Sequence, residues 1–236
     1  MISKGHIEKA LHRFLLLPAI HFDRLPLNEQ EEIQLHSTDI FIKKNTILFK
    51  QGKYTNGVYI LKKGKMKVYQ ANYDGSIQIM FIYSQGEVFG HRSIIAEENH
   101  RASVSALEDC ELTFIDRKYF LELVKKSISL SNQLLVSLSH EFTILINRIN
   151  VFAQRGIKER LALTLLILNE KYKDEHTLKG ISEIKLSRTD LSNYVGTSTE
   201  NLARTLHLFK EKNLIRVQGK SIFIESFEDL FLLASI

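Results

Sequence analysis

The chain has 236 residues, of which 44% are hydrophobic and 25% are charged, a balance typical of a globular protein with a buried core. No apolar run has the length of a membrane-spanning helix, and the first residues lack the apolar centre of a secretion signal, so we expect a cytoplasmic protein without a membrane contact. The single cysteine, Cys110, excludes a disulfide or a multi-cysteine metal cluster built within one chain.

The positive charge is concentrated near the end of the chain. The formal net charge is +5, and residues 185–220 hold seven Lys or Arg against three Asp or Glu. Residues 221–236 carry a net charge of −3. A basic segment of this kind indicates contact with a polyanion, with nucleic acid as the first candidate. A solvated surface face explains the charge equally well if charge is considered alone.

The first half of the chain changes from helical to β character. Residues 1–36 are expected to be mainly helical, with interruptions at Pro18 and Pro26. From about residue 38 to 118, short Ile-, Val-, Phe- and Tyr-rich runs alternate with glycines, which is typical of an antiparallel β-domain. These glycines are at positions 52, 57, 64, 75, 86 and 90. Asp74-Gly75 separates two such runs and predicts a hairpin with a type I′ turn.

A long helix is predicted from about residue 127 to 153, because apolar residues recur there at alternating spacings of three and four. They form a seam that comprises Leu135, Leu138, Phe142, Leu145, Ile149 and Phe152. Further apolar residues, at positions 134, 136, 144, 146 and 151, broaden the apolar surface, so we expect the helix also to cover the β-domain. The continuous seam favours a homodimer over a helix buried within a monomer. Gln154-Arg155-Gly156 predicts a break or hinge before a second helix.

Residues 186–224 carry capping and turn signals at close spacing. Ser187 is suited to cap one helix and Gly196 to end it, and Thr197 or Ser198 is suited to cap the next. Two short helices joined by a glycine turn form a helix-turn-helix. A hairpin with Gly219-Lys220 at its tip follows, so the prediction is a winged helix-turn-helix.

The second helix of this motif is predicted to expose Thr199, Glu200, Ala203 and Arg204. Glu200 and Arg204 lie four residues apart and project from one face. In a major groove an arginine can bind guanine O6 and N7, while a carboxylate accepts from cytosine N4; the alternative is a surface ion pair between the two. The caps, the wing and the basic excess favour base contacts. Phosphate contacts are assigned to Ser187, Arg188, Ser198, Asn201 and Lys220.

Taken in this order, the β-domain, the long helix and the winged motif resemble the CRP/FNR family of bacterial transcription regulators. The resemblance is carried by TILFKQG (46–52), VYILKKGKMKVY (58–69), GEVFG (86–90), LSRTDLSNYVGTSTENLARTL (186–206) and NLIRVQGKSIFI (213–224). It implies an α+β fold with an N-terminal, jelly-roll-like antiparallel β-roll. It also implies three parts: a cyclic-nucleotide-binding-like sensor domain (1–126), a dimerisation helix (127–153) and a winged helix-turn-helix domain (154–236).

The resemblance also implies a homodimer that binds double-stranded DNA at a palindromic site, with RNA polymerase as a partner and no enzymatic activity. Family members commonly recognise a half-site that ends in TGA through a Glu-x-x-x-Arg pair, which Glu200 and Arg204 match. Thr199 and Ala203 depart from the base-contacting residues of the cyclic-AMP-responsive and FNR branches. The outer bases of the half-site therefore stay open.

An effector pocket is implied at Gly90, His91, Arg101, Ala102, Leu145 and Ile146. In cyclic-AMP-binding members a glutamate contacts the ribose, an arginine and a serine hold the phosphate, and hydroxyls of the long helix contact the adenine. Here His91 replaces the glutamate and Ala102 the serine, and Leu145 and Ile146 carry no hydroxyl, so only Arg101 is retained. Each lost buried hydrogen bond costs about 1–3 kcal/mol, so we expect no tight cyclic AMP binding.

Three questions stay open at this point. Arg101 either binds another anion or pairs with a carboxylate, such as Glu97 or Glu98. No cofactor is predicted, and haem bound through His91 or His100 is the minor alternative. The rival function is a sensor module for haem or another small molecule whose C-terminal domain contacts a protein partner instead of DNA.

Overall fold

The computed structural model describes residues 4–173 and 182–235, and the chain divides into two compact units. We call Leu16–Glu141 the roll unit, and residues 1–15 together with 142–236 the helical unit. In the described ranges, no helix combines the length and apolar character that a membrane span requires.

The helices of the described residues are α1 (Lys4–His12), α2 (Leu27–Leu35), α3 (His91–Ile95), α4 (Arg117–Lys126), α5 (Ile128–Gln154), α6 (Ile157–Lys171), α7 (Arg188–Val195), α8 (Thr199–Glu211) and α9 (Phe227–Ala234). The strands are β1 (Ser37–Ile42), β2 (Ile47–Phe49), β3 (Gly57–Lys63), β4 (Met66–Ala71), β5 (Ile77–Tyr83), β6 (Val88–Phe89), β7 (Ser103–Ala106), β8 (Cys110–Asp116), β9 (Ile184–Lys185), β10 (Ile215–Gln218) and β11 (Ser221–Ile224).

Two four-stranded sheets form the β-structure of the roll unit. Their strand orders are β1-β8-β3-β6 and β2-β7-β4-β5, and the neighbouring strands are antiparallel. In the first sheet Val58 pairs with Ile115, and in the second Met66 pairs with Ala106; all four side chains are buried. The predicted α+β class and antiparallel β-roll are therefore confirmed.

Helices close one side of the first sheet. Leu130 and Leu134 of α5 join a buried cluster with Val58 and Ile115, so the first half of α5 covers the roll as expected. Val136, another of the apolar residues of α5, does not take part, since its side chain is 65% exposed. Two residues advance about 200° around a helix, which turns Val136 away from the face of Leu134.

The hairpin between β4 and β5 is present, but its turn is not type I′. Asn72 accepts a hydrogen bond from the Gly75 amide (3.0 Å) and donates to the Ser76 carbonyl (2.9 Å), so the loop spans residues 72–76. Gly75 has φ of 82°, but Asp74 is not among the positive-φ residues, whereas a type I′ turn needs positive φ at both central positions. Asp74 instead accepts from the Ser76 amide (2.9 Å), which favours the longer loop.

The helical unit is built around α6. Residues 161–169 of this helix are all buried, and α6 contacts α7, α8 and α9. Strands β9, β10 and β11 form a three-stranded sheet in the order β10-β11-β9, and β10 with β11 forms the predicted wing. The predicted break is also present, because α5 ends at Gln154 and α6 begins at Ile157.

The helix α1 belongs to the helical unit although it comes first in the chain. Its Ile7 and Leu11 are buried. The His6 ring meets the Phe231 ring of α9 edge-on, with 6.1 Å between centroids. The Asn147 side chain of α5 donates to the Arg13 carbonyl (3.0 Å). The helical unit is thus assembled from two separate stretches of the chain.

Candidate nucleic-acid interface and the roll site

The helix-turn-helix is fixed by the local signals that the sequence predicted. The Ser187 hydroxyl accepts from the Asp190 amide (3.0 Å) and caps α7. Gly196 ends α7 with φ of 72°, a conformation that glycine adopts without steric cost. The Ser198 hydroxyl then accepts from the Asn201 amide (3.2 Å) and caps α8. Of the two candidate caps, Ser198 rather than Thr197 takes the role.

One face of α8 is exposed and the other packs into the unit. The exposed residues are Thr199, Glu200, Ala203 and Arg204, the four predicted to contact bases. Leu202, Leu206 and Phe209 are buried. The structure therefore brings the four predicted base-contacting residues together on the accessible side of the motif.

Glu200 and Arg204 do not pair with each other. Arg204 Nη2 donates to Asn201 Oδ1 (2.7 Å), and Glu200 Oε1 accepts from the Thr199 hydroxyl (3.1 Å). A backbone amide at the start of α8, followed by the hydroxyls of Ser198 and Thr199, lowers the pKa of Glu200, so its carboxylate is ionised at neutral pH. An ionised carboxylate can only accept hydrogen bonds, and a guanidinium can only donate them.

The predicted phosphate-contacting residues lie at the start of α7, at the start of α8 and at the wing tip. Arg188, in the first turn of α7, donates from Nη1 to the Lys220 carbonyl at the wing tip (3.5 Å), and burial lowers its pKa. Lys220 and Ser187 are exposed, and Asn201 is half-buried. Ser187 also donates to Asp190 Oδ2 (2.7 Å), so its hydroxyl already serves the cap. The start of α7, the start of α8 and the wing tip thus lie in one unit with cationic or polar groups at each.

The implied effector residues lie in very different environments: four belong to the roll unit, and Leu145 and Ile146 belong to the helical unit. Gly90 precedes α3 with φ of 93°, and a Cβ there would lie 2.8 Å from the Gly57 carbonyl oxygen, so only glycine fits. His91 is fully buried, whereas the Arg101 side chain is 77% exposed. Ala102 is half-buried, and on α5 Leu145 is half-buried and Ile146 exposed.

His91 belongs to a buried polar cluster that sequence reasoning missed. His91 Nε2 lies 3.5 Å from Glu141 Oε1, and Arg92 Nε lies 3.3 Å from Glu141 Oε2. Arg92 Nη2 also donates to the Tyr83 hydroxyl (3.3 Å). The Ser137 hydroxyl donates to Glu141 Oε1 (3.4 Å). Burial works to raise the pKa of Glu141, but His91, Arg92 and Ser137 together hold it below its ordinary value.

Arg101 pairs with a neighbouring carboxylate. Its Nε donates to Glu98 Oε2 (2.8 Å), which is the carboxylate alternative left open by the sequence. Both residues line an open groove of about 390 Å³ together with Gln51, Gly52, Asn99 and His100. The His100 ring stacks on Phe49 with 3.7 Å between centroids, and burial lowers its pKa to about 4.

The shifted pKa of His100 predicts an acid-sensitive roll. His100 takes up a proton with a pKa of 6.5 in the unfolded chain but only with a pKa of about 4 in the folded chain. The contribution of neutral His100 to the free energy of unfolding is therefore complete above pH 6.5 and is lost as pH falls. By pH 5 the loss amounts to about 2 kcal/mol. We expect His100→Phe, which keeps the stack on Phe49, to flatten the dependence of the free energy of unfolding on pH between 6.5 and 5.

Urea unfolding at pH 7.5 and pH 5 measures this slope. His207→Phe is the matched control, because His207 is an exposed histidine of α8 whose Nε2 lies 3.2 Å from Glu211. An equal slope in wild type and His100→Phe would contradict the assignment to His100.

Two family models match the chain, a cyclic nucleotide-binding domain at residues 40–127 and a Crp-like helix-turn-helix domain at residues 159–231. The "Anaerobic regulatory protein" of Haemophilus influenzae is 29% identical over 207 residues, covering 86% of this chain and 80% of that protein. The "cAMP-activated global transcriptional regulator CRP" of Escherichia coli is 27% identical over 182 residues, covering 77% of this chain and 86% of that protein. The chain belongs to the CRP/FNR family.

A solved structure shares the fold of this CRP/FNR regulator. FixK2 from Bradyrhizobium japonicum matches with a TM-score of 0.75 and 20% sequence identity, covering 84% of this chain and 96% of that one. The order of β-roll, long helix and helix-turn-helix is thus that of a CRP/FNR transcription regulator, and the matched relatives are named as regulators.

Sequence reasoning missed Glu141, and it placed Phe152 in the seam without the two arginines of its own chain, Arg148 and Arg160, that lie over its ring. A signal for Glu141 exists, since Leu130, Leu134, Ser137, Glu141 and Ile144 repeat at spacings of four and three, and all five are buried. A second stripe of this kind, one residue out of step with the predicted seam, marks the face of α5 that packs on its own chain.

Within the described residues, no three His, Cys, Asp or Glu side chains gather as metal ligands would.

Proposed function

We propose that this CRP/FNR regulator acts as a homodimer that recognises a palindromic DNA site with TGA-like half-sites, and that it does so without cyclic AMP. The observation that carries the proposal is the exposed face of α8, where ionised Glu200 and Arg204 stand one turn apart without pairing. An acceptor and a donor left available in this way match the edges of a guanine–cytosine pair.

Groups around α8 support phosphate contacts on either side of the groove. Lys220 is exposed at the wing tip, and Arg188 is held against the same tip through the Lys220 carbonyl. The first turns of α7 and α8 add the exposed hydroxyls of Ser187 and Ser198 and the Asn201 amide group. Such contacts set the register of the protein on the duplex, while Glu200 and Arg204 supply the sequence preference.

An apolar stripe on α5 supports the homodimer. Leu135, Phe142 and Ile149 are between 63% and 67% exposed, and the residues that alternate with them in the repeat, Leu138, Leu145 and Phe152, are half-buried. A stripe of exposed apolar side chains at heptad spacing is suited to a second copy of the same helix. Dimerisation would place two recognition helices about 34 Å apart, one turn of DNA.

The roll site supports independence from cyclic AMP. His91 is fully buried against Glu141, so the position that holds a ribose-binding glutamate in cyclic-AMP-binding relatives is already occupied by an internal contact. Arg101 is exposed and paired with Glu98, so a cyclic phosphate would have to displace a carboxylate. Both features add to the missing hydroxyls at Ala102, Leu145 and Ile146.

The partners of the proposal follow from the family. The protein is a cytoplasmic, non-enzymatic regulator, and RNA polymerase is its protein partner at the bound site. The effector groove beside Arg101 remains the place where a small anion other than cyclic AMP would bind. For haem, His91 and His100 are poor ligands, because one imidazole faces Glu141 and the other stacks on Phe49.

Selection of bound duplexes from a random library, run with and without cyclic AMP, tests the proposal. The expected product is the same palindrome with TGA-like halves in both runs. Glu200→Ala and Arg204→Ala are then expected to weaken binding to this palindrome by about 10- to 100-fold, the value of one good base contact. Fluorescence anisotropy with labelled duplex measures the effect.

Charge-matched controls separate base contacts from general electrostatics. Glu122→Ala and Lys125→Ala change the same charges on exposed positions of α4 in the roll unit, and each is expected to leave the affinity within about twofold. Equal binding by wild type, Glu200→Ala and Arg204→Ala would contradict the base contacts and favour a protein partner for this domain.

A further inference from the structure

A cluster of aromatic and guanidinium groups joins the two sides of the break between α5 and α6. Arg160, in the first turn of α6, has its Cζ 5.4 Å from the centre of the Phe152 ring in the last turns of α5. Arg148 lies one turn before Phe152, with its Cζ 5.9 Å from the same ring. The Arg148 Cζ also lies 4.6 Å from the centre of the Tyr194 ring of α7. Phe152 is therefore contacted by two cations of its own chain.

Arg160 also reaches the turn of the helix-turn-helix. Its Nη2 donates to the Gly196 carbonyl (3.0 Å), and Gly196 is the residue that ends α7 at the turn before α8. Arg160 Nε is buried without a hydrogen-bond partner in the protein. A buried donor without a partner lowers the stability of the fold. The other contacts of the Arg160 guanidinium, with Gly196 and Phe152, must therefore offset this cost.

These contacts bridge a short break between two helices. Arg155 and Gly156 are the only residues between α5 and α6, and both are exposed. Arg155 Nη2 donates to the Ser235 carbonyl (2.9 Å), which fixes the break to the end of α9 rather than to α7 or α8. The connection from α5 to the turn before α8 therefore passes through Phe152 and Arg160.

We propose that Arg160, with Phe152 and Arg148, is a positioning residue that sets the orientation of the recognition helix α8 relative to the long helix α5. The proposal rests on the proposed homodimer, in which α5 sets the position of each copy. The guanidinium of Arg160 lies over the Phe152 ring and also donates to the Gly196 carbonyl, so a change in the α5–α6 angle would break one of the two contacts. The cluster thereby determines which separation of half-sites the dimer accepts.

The test measures preference for half-site spacing. Wild type, Arg160→Lys and Phe152→Leu are titrated with the selected palindrome and with versions in which the half-sites are one base pair closer or farther apart. Wild type is expected to bind the original spacing best. In both variants the preference for that spacing is expected to fall by about fivefold, as for loss of a buried cation–π or guanidinium–carbonyl contact. Phe152→Tyr, which keeps the ring, is expected to retain it.

A purely structural role would weaken binding to every spacing equally, so an unchanged ratio in Arg160→Lys and Phe152→Leu would overturn the proposal. Lys158→Met and Arg160→Met remove the same charge from the same turn of α6, and Lys158 is exposed. Lys158→Met is expected to lower all affinities together and Arg160→Met to flatten the spacing preference as well. Thermal unfolding identifies any variant that does not fold. If Arg160→Met does not fold, the spacing preference of Arg160→Lys, which keeps the charge and most of the volume, decides the test.

This experiment also separates the present proposal from the homodimer on which it rests. Failure of the wild-type protein to prefer any palindrome would contradict the proposed function itself. A wild type that prefers one spacing, together with variants that prefer it equally, contradicts only the positioning role of Arg160 and Phe152.

Discussion

Ile149→Glu is expected to make the protein monomeric and to lower its affinity for a palindromic duplex by at least about 100-fold, because binding two half-sites through one dimer multiplies affinity by that order. Ile149 is 67% exposed on the apolar stripe of α5, between half-buried Leu145 and Phe152. Two glutamates facing each other across the seam would combine desolvation with like-charge repulsion. Glutamate is a good helix former, so α5 itself is retained.

Ile128→Glu is the matched control for this experiment. Ile128 is the first residue of α5 and is 79% exposed, but it lies before the stripe begins at Leu135. Light scattering coupled to gel filtration gives the mass of each variant, and anisotropy gives its affinity. A dimer that persists in Ile149→Glu, or an equal loss in Ile128→Glu, would contradict the seam.

Glu141→Ala is expected to lower the free energy of unfolding by about 2–4 kcal/mol, because it leaves the buried His91 and the Arg92 guanidinium without their shared carboxylate. Glu141→Gln keeps the shape and one acceptor and should cost less. Urea unfolding at pH 7 measures both. Glu122→Gln, on an exposed position of α4, is the control and should change little.

The acid dependence of this effect has a definite sign. The pKa of Glu141 is below its ordinary value of 4.5 in the folded protein, so its contribution is present above that value and is lost as pH falls through the lower folded pKa. The stability difference between wild type and Glu141→Gln should therefore shrink as pH is lowered below 4.5. A difference that is constant over this range would show that the carboxylate charge does not stabilise the cluster.

The parts of the structure that the sequence predicted are those fixed by neighbours in the chain. Ser187, Gly196 and Ser198 act on backbone groups within a few residues, so their types alone predict the caps and the turn. The exposed face of α8 is also set locally, because the spacing of apolar residues within this one helix determines which side is buried. It also explains the partial failure at Asp74-Gly75, where the side chain of Asp74 bonds to Ser76 and selects a longer loop than the dipeptide suggested.

The features that were missed depend on residues far apart in the sequence. Glu141 is stabilised by His91 and Arg92, about fifty positions earlier, so its partners do not appear in the sequence around it. Arg160 contacts Gly196 thirty-six positions later. On α5 the buried stripe and the exposed stripe are offset by one position in the sequence. The buried stripe contains the polar residues Ser137 and Glu141, so its hydrophobic pattern is the weaker of the two. A helix with apolar residues on two adjacent faces does not reveal which face its own chain covers.

The split composition of the helical unit has a consequence for the order in which this protein folds. The ribosome makes α1 first, but the Asn147 side chain that binds the Arg13 carbonyl and the Phe231 ring that meets His6 are made more than a hundred residues later. The roll unit is continuous from Leu16 to Glu141, so it can complete its core before α1 has the segments on which it packs. Closing the helical unit then joins segments at a large sequence separation, which slows folding. A fragment that starts at residue 142 leaves out α1 and so lacks one layer of the unit it was meant to isolate.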